Sequence, residues 1–277
     1  MKILRVFIRK TSQTPIDDYV RIGSPDLFIP KDIQQIRISI LFTWDKQQAI
    51  ELKKDYTVRF PNIPVKIGGP AFCSAVGEFK AGRYTKPGIT MTSRGCNFNC
   101  PWCLVSKIEG EFWELYGLEP GNIIQDNSVL LSSKGRLKQI FQMLKHQKNI
   151  RFVGGLDVRL LKDWHIEELR DLRIKELWLA FDSWVNKKEF IRATEKLKKA
   201  GFNRNRIRCY VLAGFNEPIQ ISEDRLRFVY NCGALPYIQV YQPSNNHKRM
   251  AGEQSREDNL FVRKWSRPAI IKAICQK

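Results

Sequence analysis

Between Gly88 and Tyr241 the sequence alternates short apolar runs with segments of helical periodicity. The apolar runs predict six strands, at residues 88–92, 123–131, 150–154, 176–181, 207–213 and 237–241. The periodic segments predict helices at 134–145, 165–172, 187–200 and 223–231. This alternation is typical of parallel βα units in an α/β domain. Because such domains carry their chemistry at the C-terminal ends of the strands, candidate site residues are sought there.

The region before Gly88 predicts a smaller β-α-β appendage at residues 35–70. Its first strand begins at Ile36, Asp45 is the expected N-cap of a helix ending near Tyr56, and Val65 begins the second strand. Residues 11–30 are rich in polar residues and predict a loop. The predicted domains are therefore 1–87, a degenerate Rossmann-like segment; 88–243, the main α/β domain; and 244–277, a loop and short helix.

The chain has 277 residues, 43% of them hydrophobic, which is enough for a sizeable core. No apolar run approaches the roughly 20 residues that span a bilayer, and the N-terminus lacks the apolar core of a signal peptide, so no membrane partner is expected. The net charge of +19 favours polyanions, of which nucleic acid is the commonest. The basic stretch at 187–208 has two other interpretations: a solvated helix face, or a dock for an acidic flavodoxin or ferredoxin.

Seven cysteines are present, and three of them follow one another closely as Cys96, Cys100 and Cys103. The other four are scattered singly, which argues against a disulfide framework and favours a reducing, cytoplasmic location. Three thiolates at C-x3-C-x2-C spacing can hold three irons of a [4Fe–4S] cluster and leave the fourth iron open. A structural zinc site usually takes four protein ligands, so a zinc knuckle is the weaker alternative, beside coincidence.

The run from Gly88 to Cys103 resembles the cluster motif of the radical S-adenosylmethionine (SAM) superfamily, in which the open iron chelates the amino and carboxylate groups of SAM. Trp102 and the Thr-Ser-Arg-Gly sequence before Cys96 fit that motif. The resemblance extends to about Pro243 and implies an open, partial (β/α)6 barrel. It also implies a low-potential electron donor and reductive cleavage of SAM to a 5′-deoxyadenosyl radical.

The segment that ends in Gly68-Gly69-Pro70 resembles the end of the cobalamin-binding domain that precedes many radical SAM domains. That domain normally carries an Asp-x-His-x-x-Gly loop whose histidine ligates cobalt. Here the histidines are His146, His165 and His247, all beyond the cysteines. The resemblance therefore implies a shortened N-terminal domain without the cobalt ligand, and cobalamin is not expected.

Strands two and three are followed by polar residues and glycines. Asp126-Asn127 resembles the acidic–Asn pair of some cobalamin-type relatives, so Asp126 is expected to meet the SAM ammonium, with a turn or cap aspartate as the alternative. Gly154 and Gly155 are expected to admit a ligand close to the backbone. Arg159, after Asp157, is expected to pair with the SAM carboxylate or a substrate phosphate; the alternative is an internal salt bridge with Asp157 or a helix acid.

The later strands supply the remaining candidates. Asp182, with Ser183, is expected to grip a ribose or substrate hydroxyl, and the alternative is a helix cap. Gly214 and Glu217 resemble the Gly-x-x-Glu signature of the superfamily, in which the backbone near the glycine packs along the adenine and the glutamate orients the loop. Tyr241 ends strand six and is assigned to the cofactor site, before a polar loop at 244–249.

Three functions remain open from the sequence. The first is a radical SAM enzyme that modifies or repairs nucleic acid, and the second is a radical SAM enzyme that acts on a peptide or small molecule. The third is a metal-binding nucleic-acid-binding protein without catalysis. Six βα units favour the two enzymes, because a binding knuckle does not need them.

Overall fold

The computed structural model of the chain describes residues 1–72, 82–242 and 255–276. These residues form two compact units. The first contains Met1–Ile89 and Leu104–Gly110, and the second contains Thr90–Cys103, Glu111–Gln242 and the described C-terminal residues. The domain boundaries expected at 87/88 and 243/244 stay predictions.

The first unit is built on a four-stranded parallel sheet. Its elements are β1 (Ile3–Phe7), β2 (Val20–Ile22), β3 (Gln35–Ser39), α1 (Lys46–Arg59) and β4 (Val65–Gly68). The strands are ordered β2-β1-β3-β4, and α1 packs Ala49, Leu52 and Tyr56 into the core of this unit. Asp45 directly precedes α1 as predicted, although its side chain caps nothing and pairs with Arg9.

The predicted β-α-β unit is present in β3, α1 and β4, but the loop predicted at 11–30 is wrong in its middle. There β2 pairs with β1 through Arg5↔Val20 and Phe7↔Ile22. A three-residue strand is too short to show a period of two in the sequence, and backbone pairing with β1 is what defines it.

The second unit alternates strands and helices, and one short helix within this stretch, α2 (Val105–Glu109), belongs to the first unit. The elements of this stretch are β5 (Ile89–Thr90), β6 (Ser93–Arg94), α2, β7 (Trp113–Glu114), β8 (Ile123–Ile124), α3 (Lys134–Lys145), β9 (Ile150–Phe152), α4 (Asp163–Arg170), β10 (Ile174–Ala180), α5 (Lys187–Lys199), β11 (Ile207–Ala213), α6 (Glu223–Asn231), β12 (Leu235–Val240), α7 (Arg256–Trp265) and α8 (Pro268–Cys275).

Six of these strands form one sheet in the order β12-β11-β10-β9-β8-β5. Every pairing from β8 to β12 is parallel. Side chains in β11 alternate between a buried face, with Ile207, Cys209 and Val211, and an opposite face that is partly open. The prediction of an α/β domain with a parallel sheet is confirmed, and the partial barrel stays a prediction.

The four predicted helices are all present, and α3 and α6 have the predicted bounds. The strand predicted at 123–131 is wrong beyond Ile124, because Val129–Leu131 forms a short 3-10 turn. Val129 and Leu130 are buried in this turn, so the apolar residues that predicted a strand there are explained by burial and not by an extended backbone. The sequence also missed α7, α2 and the β6–β7 pair.

Cys73 and the polar loop expected at 244–249, with His247, lie outside the described residues. In the part of the chain that the structure describes, no helix has the length and apolar character needed to cross a bilayer.

Candidate functional site

The three cysteines lie in one loop, residues 95–103, that directly follows β6; we call it the cysteine loop. Antiparallel pairing of β6 with β7 holds its first end. Inside it, the Cys103 amide donates to the Cys100 carbonyl at 2.9 Å, and the Asn97 side chain accepts from the Phe112 amide at 2.8 Å. Gly95 and Asn99 have φ angles of 71° and 45°, the left-handed conformation that tightens a loop.

Cys96, Cys100 and Cys103 are free thiols and are all half-buried. Burial raises the pKa of Cys100, and the Arg159 guanidinium, which is hydrogen-bonded to that thiol, opposes the shift. Three thiols are the donor set that an iron–sulfur cluster takes, so the residues fit such a group in kind and number. Within the described residues, no three His, Cys, Asp or Glu side chains are gathered as metal ligands.

Asp126 anchors the residues that lead into the cysteine loop. It is 2% exposed, and its carboxylate accepts from the amides of Thr92 and Ser93 at 2.7 and 2.5 Å. The hydroxyls of the same two residues donate at 3.1 and 3.0 Å. Burial raises the pKa of Asp126, and these four hydrogen bonds oppose the shift. Asp126 thus holds a turn through Thr92 and Ser93, and its contact with the SAM ammonium stays a prediction; Asn127 is half-buried beside it.

The paired glycines after β9 serve the protein's own backbone. A Cβ on Gly154 would lie 1.6 Å from the carbonyl oxygen of Asp126, so only glycine fits beside the neighbouring strand. Gly155 has a φ of 97° and turns the chain out of β9. Gly154 therefore closely approaches the backbone of Asp126, and the approach of a ligand to these glycines stays a prediction.

Arg159 anchors the middle of the cysteine loop. Its Nε donates to Asp157 at 2.8 Å, and its guanidinium lies 3.5 Å from the centre of the Phe98 ring. Hydrogen bonding to Asp157 raises the pKa of Arg159. The internal salt bridge, the alternative left open by the sequence, is therefore present. It also presents the guanidinium to Phe98 and Cys100 of the loop.

Asp182 anchors the end of the cysteine loop. Its carboxylate accepts from the Leu212 amide at 2.9 Å and from the indole N–H of Trp102. Burial raises the pKa of Asp182 to about 6, against the hydrogen bond from Leu212, the charge of Arg225 and the hydrogen bond from Trp102. The neighbouring Ser183 accepts from the Val185 amide at 3.3 Å and so caps a short turn.

A row of aromatic rings continues from Trp102 across the ends of β11 and β12. Trp102 meets Phe215 edge-on at 5.8 Å between centroids, and Phe215 meets Tyr241 in the same way at 4.8 Å. Gly214 has a φ of 80°, so the chain turns directly before Phe215. The sequence interpretation passed over Phe215, although it lies inside the Gly214–Glu217 signature and could have been found there.

Glu217 holds this corner through a buried arginine on α6. Arg225 is 6% exposed, donates from Nη1 to Glu217 at 3.2 Å, and donates from Nη2 to the Leu212 carbonyl at 2.8 Å. Hydrogen bonds therefore connect Trp102, Asp182, Leu212, Arg225 and Glu217. The sequence missed Arg225, because an arginine in an amphipathic helix usually indicates a surface position.

The structure thus brings the predicted site residues to the cysteine loop as two groups. Asp126, Asp157 and Arg159 contact its lead-in and middle, directly or through one another, and Gly154 packs on Asp126. Asp182, Gly214, Glu217 and Tyr241 belong to the network around Trp102. Asn127 and Ser183 are adjacent in sequence to these groups, and the hydroxyl of Ser183 accepts from the amide of Val185.

No family model and no curated protein matches this chain. Among solved structures, coproporphyrinogen III oxidase (HemN) from Escherichia coli, a radical SAM enzyme, is similar over 56% of this chain at 10% identity, with a TM-score of 0.38. The match spans 40% of that protein's chain. A TM-score of this size does not establish a shared fold, so the functional assignment depends on the residues of the site.

Proposed function

We propose that the chain is a radical SAM enzyme in which Cys96, Cys100 and Cys103 hold a [4Fe–4S] cluster. One observation carries the proposal: three free thiols at C-x3-C-x2-C spacing share a loop anchored at its lead-in, middle and end. A structural zinc site usually takes four protein ligands, whereas the closely spaced cysteines of this sequence number three. When bound, the cluster would supply the electron that splits SAM into methionine and a 5′-deoxyadenosyl radical, which abstracts hydrogen from a substrate.

The chain's own residues would prepare the thiols for iron. Iron binds thiolate rather than thiol, and a neighbouring cation favours the thiolate. Arg159 provides that cation at Cys100, since it already donates a hydrogen bond to the sulfur. Asp126 and Asp182 bear on the thiols only through the loop, by fixing the backbone of Thr92 and Ser93 and the ring of Trp102.

The aromatic row offers the proposed cofactor an apolar surface. Trp102, Phe215 and Tyr241 present ring edges and faces at the ends of β11 and β12, beside the buried turn at Gly214. Adenine is planar and apolar on its faces, so we assign it to this row. Asp182 would accept from a ribose hydroxyl, and Arg159 would meet the SAM carboxylate by exchanging part of its pairing with Asp157.

A low-potential flavodoxin or ferredoxin is the proposed electron donor, and the basic face of α5 is its proposed dock. Lys187, Lys188, Arg192, Lys198 and Lys199 are exposed there, whereas Lys196 pairs with Asp163 at 2.5 Å. Reversing the charge of Lys188, Arg192 and Lys199 should lower activity with flavodoxin and leave activity with dithionite unchanged. Loss in both assays would instead indicate an effect on the site.

Anaerobic reconstitution tests the function itself. The wild-type chain should bind about four irons, and the triple variant C96A/C100A/C103A should bind none. Cys232→Ala, a half-buried cysteine elsewhere in the second unit, is the matched control and should load like the wild type. With dithionite and SAM, the loaded protein should release 5′-deoxyadenosine. Stoichiometric zinc without iron in anaerobically prepared protein, or a loaded cluster that never cleaves SAM, would overturn the proposal.

A further inference from the structure

The sheet of the second unit carries a second group of polar and aromatic side chains, none of which belongs to the anchors of the cysteine loop described above. Residues in β9 to β12 that alternate with the buried helix-facing side chains share one face of the sheet. We call this set the arginine–aromatic face: Arg151, Glu176, Trp178, Arg208, Tyr210 and Tyr237. Parallel sheets are usually covered on both faces and apolar on both, so the concentration of charge and aromatic rings on one face needs a reason.

The charges on this face are not balanced. Glu176 accepts from Arg151 Nε at 3.0 Å and from the Trp178 indole at 3.0 Å, both at the same oxygen. The Nη2 atom of Arg208 lies 3.7 Å from the other carboxylate oxygen of Glu176, which is beyond hydrogen-bonding distance. Its Nε is buried and has no hydrogen-bond partner among the described residues. One carboxylate thus faces two guanidinium groups, and the second has unused donors.

An aromatic layer lies next to the unsatisfied arginine. Trp178 and Tyr210 are stacked, with centroids 4.3 Å apart and planes 23° apart, and Tyr237 meets them edge-on at 5.8 and 6.1 Å. Tyr237 is 41% exposed, so part of this ring is open to a ligand. In the strand register, Arg208 is opposite Trp178, and Tyr210 is opposite Tyr237. Arg208 is therefore displaced from the tyrosine pair by two residues, about 7 Å along the strand.

We propose that the arginine–aromatic face binds a nucleotide unit, with the base against Tyr237 and the phosphate on Arg208. A guanidinium with free donors matches phosphate oxygens, and an exposed aromatic ring beside it matches the face of any base. A sugar bridges the offset between the two. The net charge of +19 favours such an anion over a neutral planar ligand. That this nucleotide is the substrate depends on the proposed function, whereas its binding does not.

The unit can come from a free mononucleotide or from single-stranded nucleic acid, and both present the same chemistry. Titrations of AMP and of a short single-stranded oligonucleotide, followed by calorimetry in protein without cluster, distinguish the two. AMP binding as tight as oligonucleotide binding indicates the free nucleotide. Oligonucleotide binding that is much tighter, with a steep salt dependence, indicates nucleic acid.

Three variants test the contacts. Arg208→Met should weaken binding about tenfold, as expected for a lost charge-assisted hydrogen bond. With the oligonucleotide it should also lower the salt slope by about 0.7, the share of one single-strand phosphate. Tyr237→Leu should weaken binding about tenfold through lost stacking and leave the slope unchanged. Compared with Arg208→Met, Arg208→Lys should restore the salt slope of oligonucleotide binding more fully than it restores the affinity. Lysine keeps the positive charge but lacks the planar fork of the guanidinium.

Matched controls remove the same residue types from exposed positions. Arg206→Met and Tyr116→Leu should bind like the wild type, since Arg206 lies outside the face and Tyr116 is fully exposed elsewhere. All variants should keep wild-type iron loading, which reports on the proposed function separately. If Arg206→Met and Arg208→Met lose affinity for the probe equally, the effect depends on net charge alone, and the proposed binding site is wrong. No binding of either probe by wild-type protein with a native melting transition would overturn it too.

Discussion

Asp126 and Asp182 follow strands β8 and β10 of one sheet, and each anchors one end of the cysteine loop. Asp126 accepts four hydrogen bonds from two adjacent residues, whereas Asp182 accepts from Leu212 and from the indole of Trp102. Burial raises the pKa of both groups, and for Asp182 it reaches about 6. The loop therefore has a start held by backbone amides and an end held by one side chain.

The two aspartates therefore show two ways in which a carboxylate can anchor a loop. Backbone amides cannot move away from Asp126 without unfolding the turn, so this anchor is part of the fold. An indole can leave Asp182 by rotating its side chain, so this anchor can respond to pH or to a ligand. Variants of the two aspartates should therefore differ in kind as well as in size.

The largest effect is expected at Asp126. Asp126→Ala leaves buried donors at Thr92 and Ser93 without an acceptor and should lower the free energy of unfolding by about 3 kcal/mol. Chemical denaturation measures this loss. Asp171→Ala, an exposed aspartate, should change stability by no more than about 0.5 kcal/mol. Normal stability of Asp126→Ala with loss of SAM cleavage would instead place Asp126 in direct contact with the cofactor.

The next effect is a pH dependence at Asp182. Because its folded pKa of about 6 lies above the unfolded value of 3.8, the folded state binds the proton more tightly. Its contribution to stability is therefore full below pH 3.8 and is lost as pH rises through 6, by up to about 3 kcal/mol. Asp182→Asn should flatten the stability profile between these pH values, as thermal unfolding in a pH series would report.

Asp18→Asn provides the control for this profile, since Asp18 is exposed in the first unit. Trp102→Phe removes the indole donor without removing the ring. It should leave the fold stable and change the pH profile, because one opposing hydrogen bond to Asp182 is gone. If stability depends on pH in the same way in Asp182→Asn and in the wild type, then Asp182 does not make the end of the loop sensitive to pH. The two anchors would then not differ in this respect.

The smallest effect on stability is expected at Arg159, which holds the middle of the loop from a partly exposed position. Arg159→Met should cost about 1 kcal/mol or less, because the pair with Asp157 is partly screened by solvent. Iron loading should fall more clearly, since the cation beside Cys100 is lost. The control Arg170→Met, at an exposed arginine of α4, should change neither stability nor iron loading. A large stability loss with normal loading would make Arg159 only a structural ion pair.

Several elements were predictable because local pattern and tertiary environment agree. The helix at 134–145 has its apolar stripe, Leu137, Ile140, Phe141 and Leu144, all buried, and Ser133 caps it. The strand at 207–213 alternates in the sequence as it does in the sheet. Where local pattern is absent, prediction failed: β2 is too short to show a period, and the turn at 129–131 is apolar because it is buried.

The cysteine spacing, the βα alternation and the identity of the strand-end residues were all readable in the sequence, because each depends on neighbours within a few positions. The sequence could not say what those residues touch. Asp126 and Thr92 are 34 positions apart, and Asp182 and Leu212 are 30 apart. Arg208 and Glu176 share a face only because parallel pairing sets the register of β10 and β11. Hydrogen bonds and unbalanced charges of this kind arise when distant segments are packed together, so only the tertiary structure decides them.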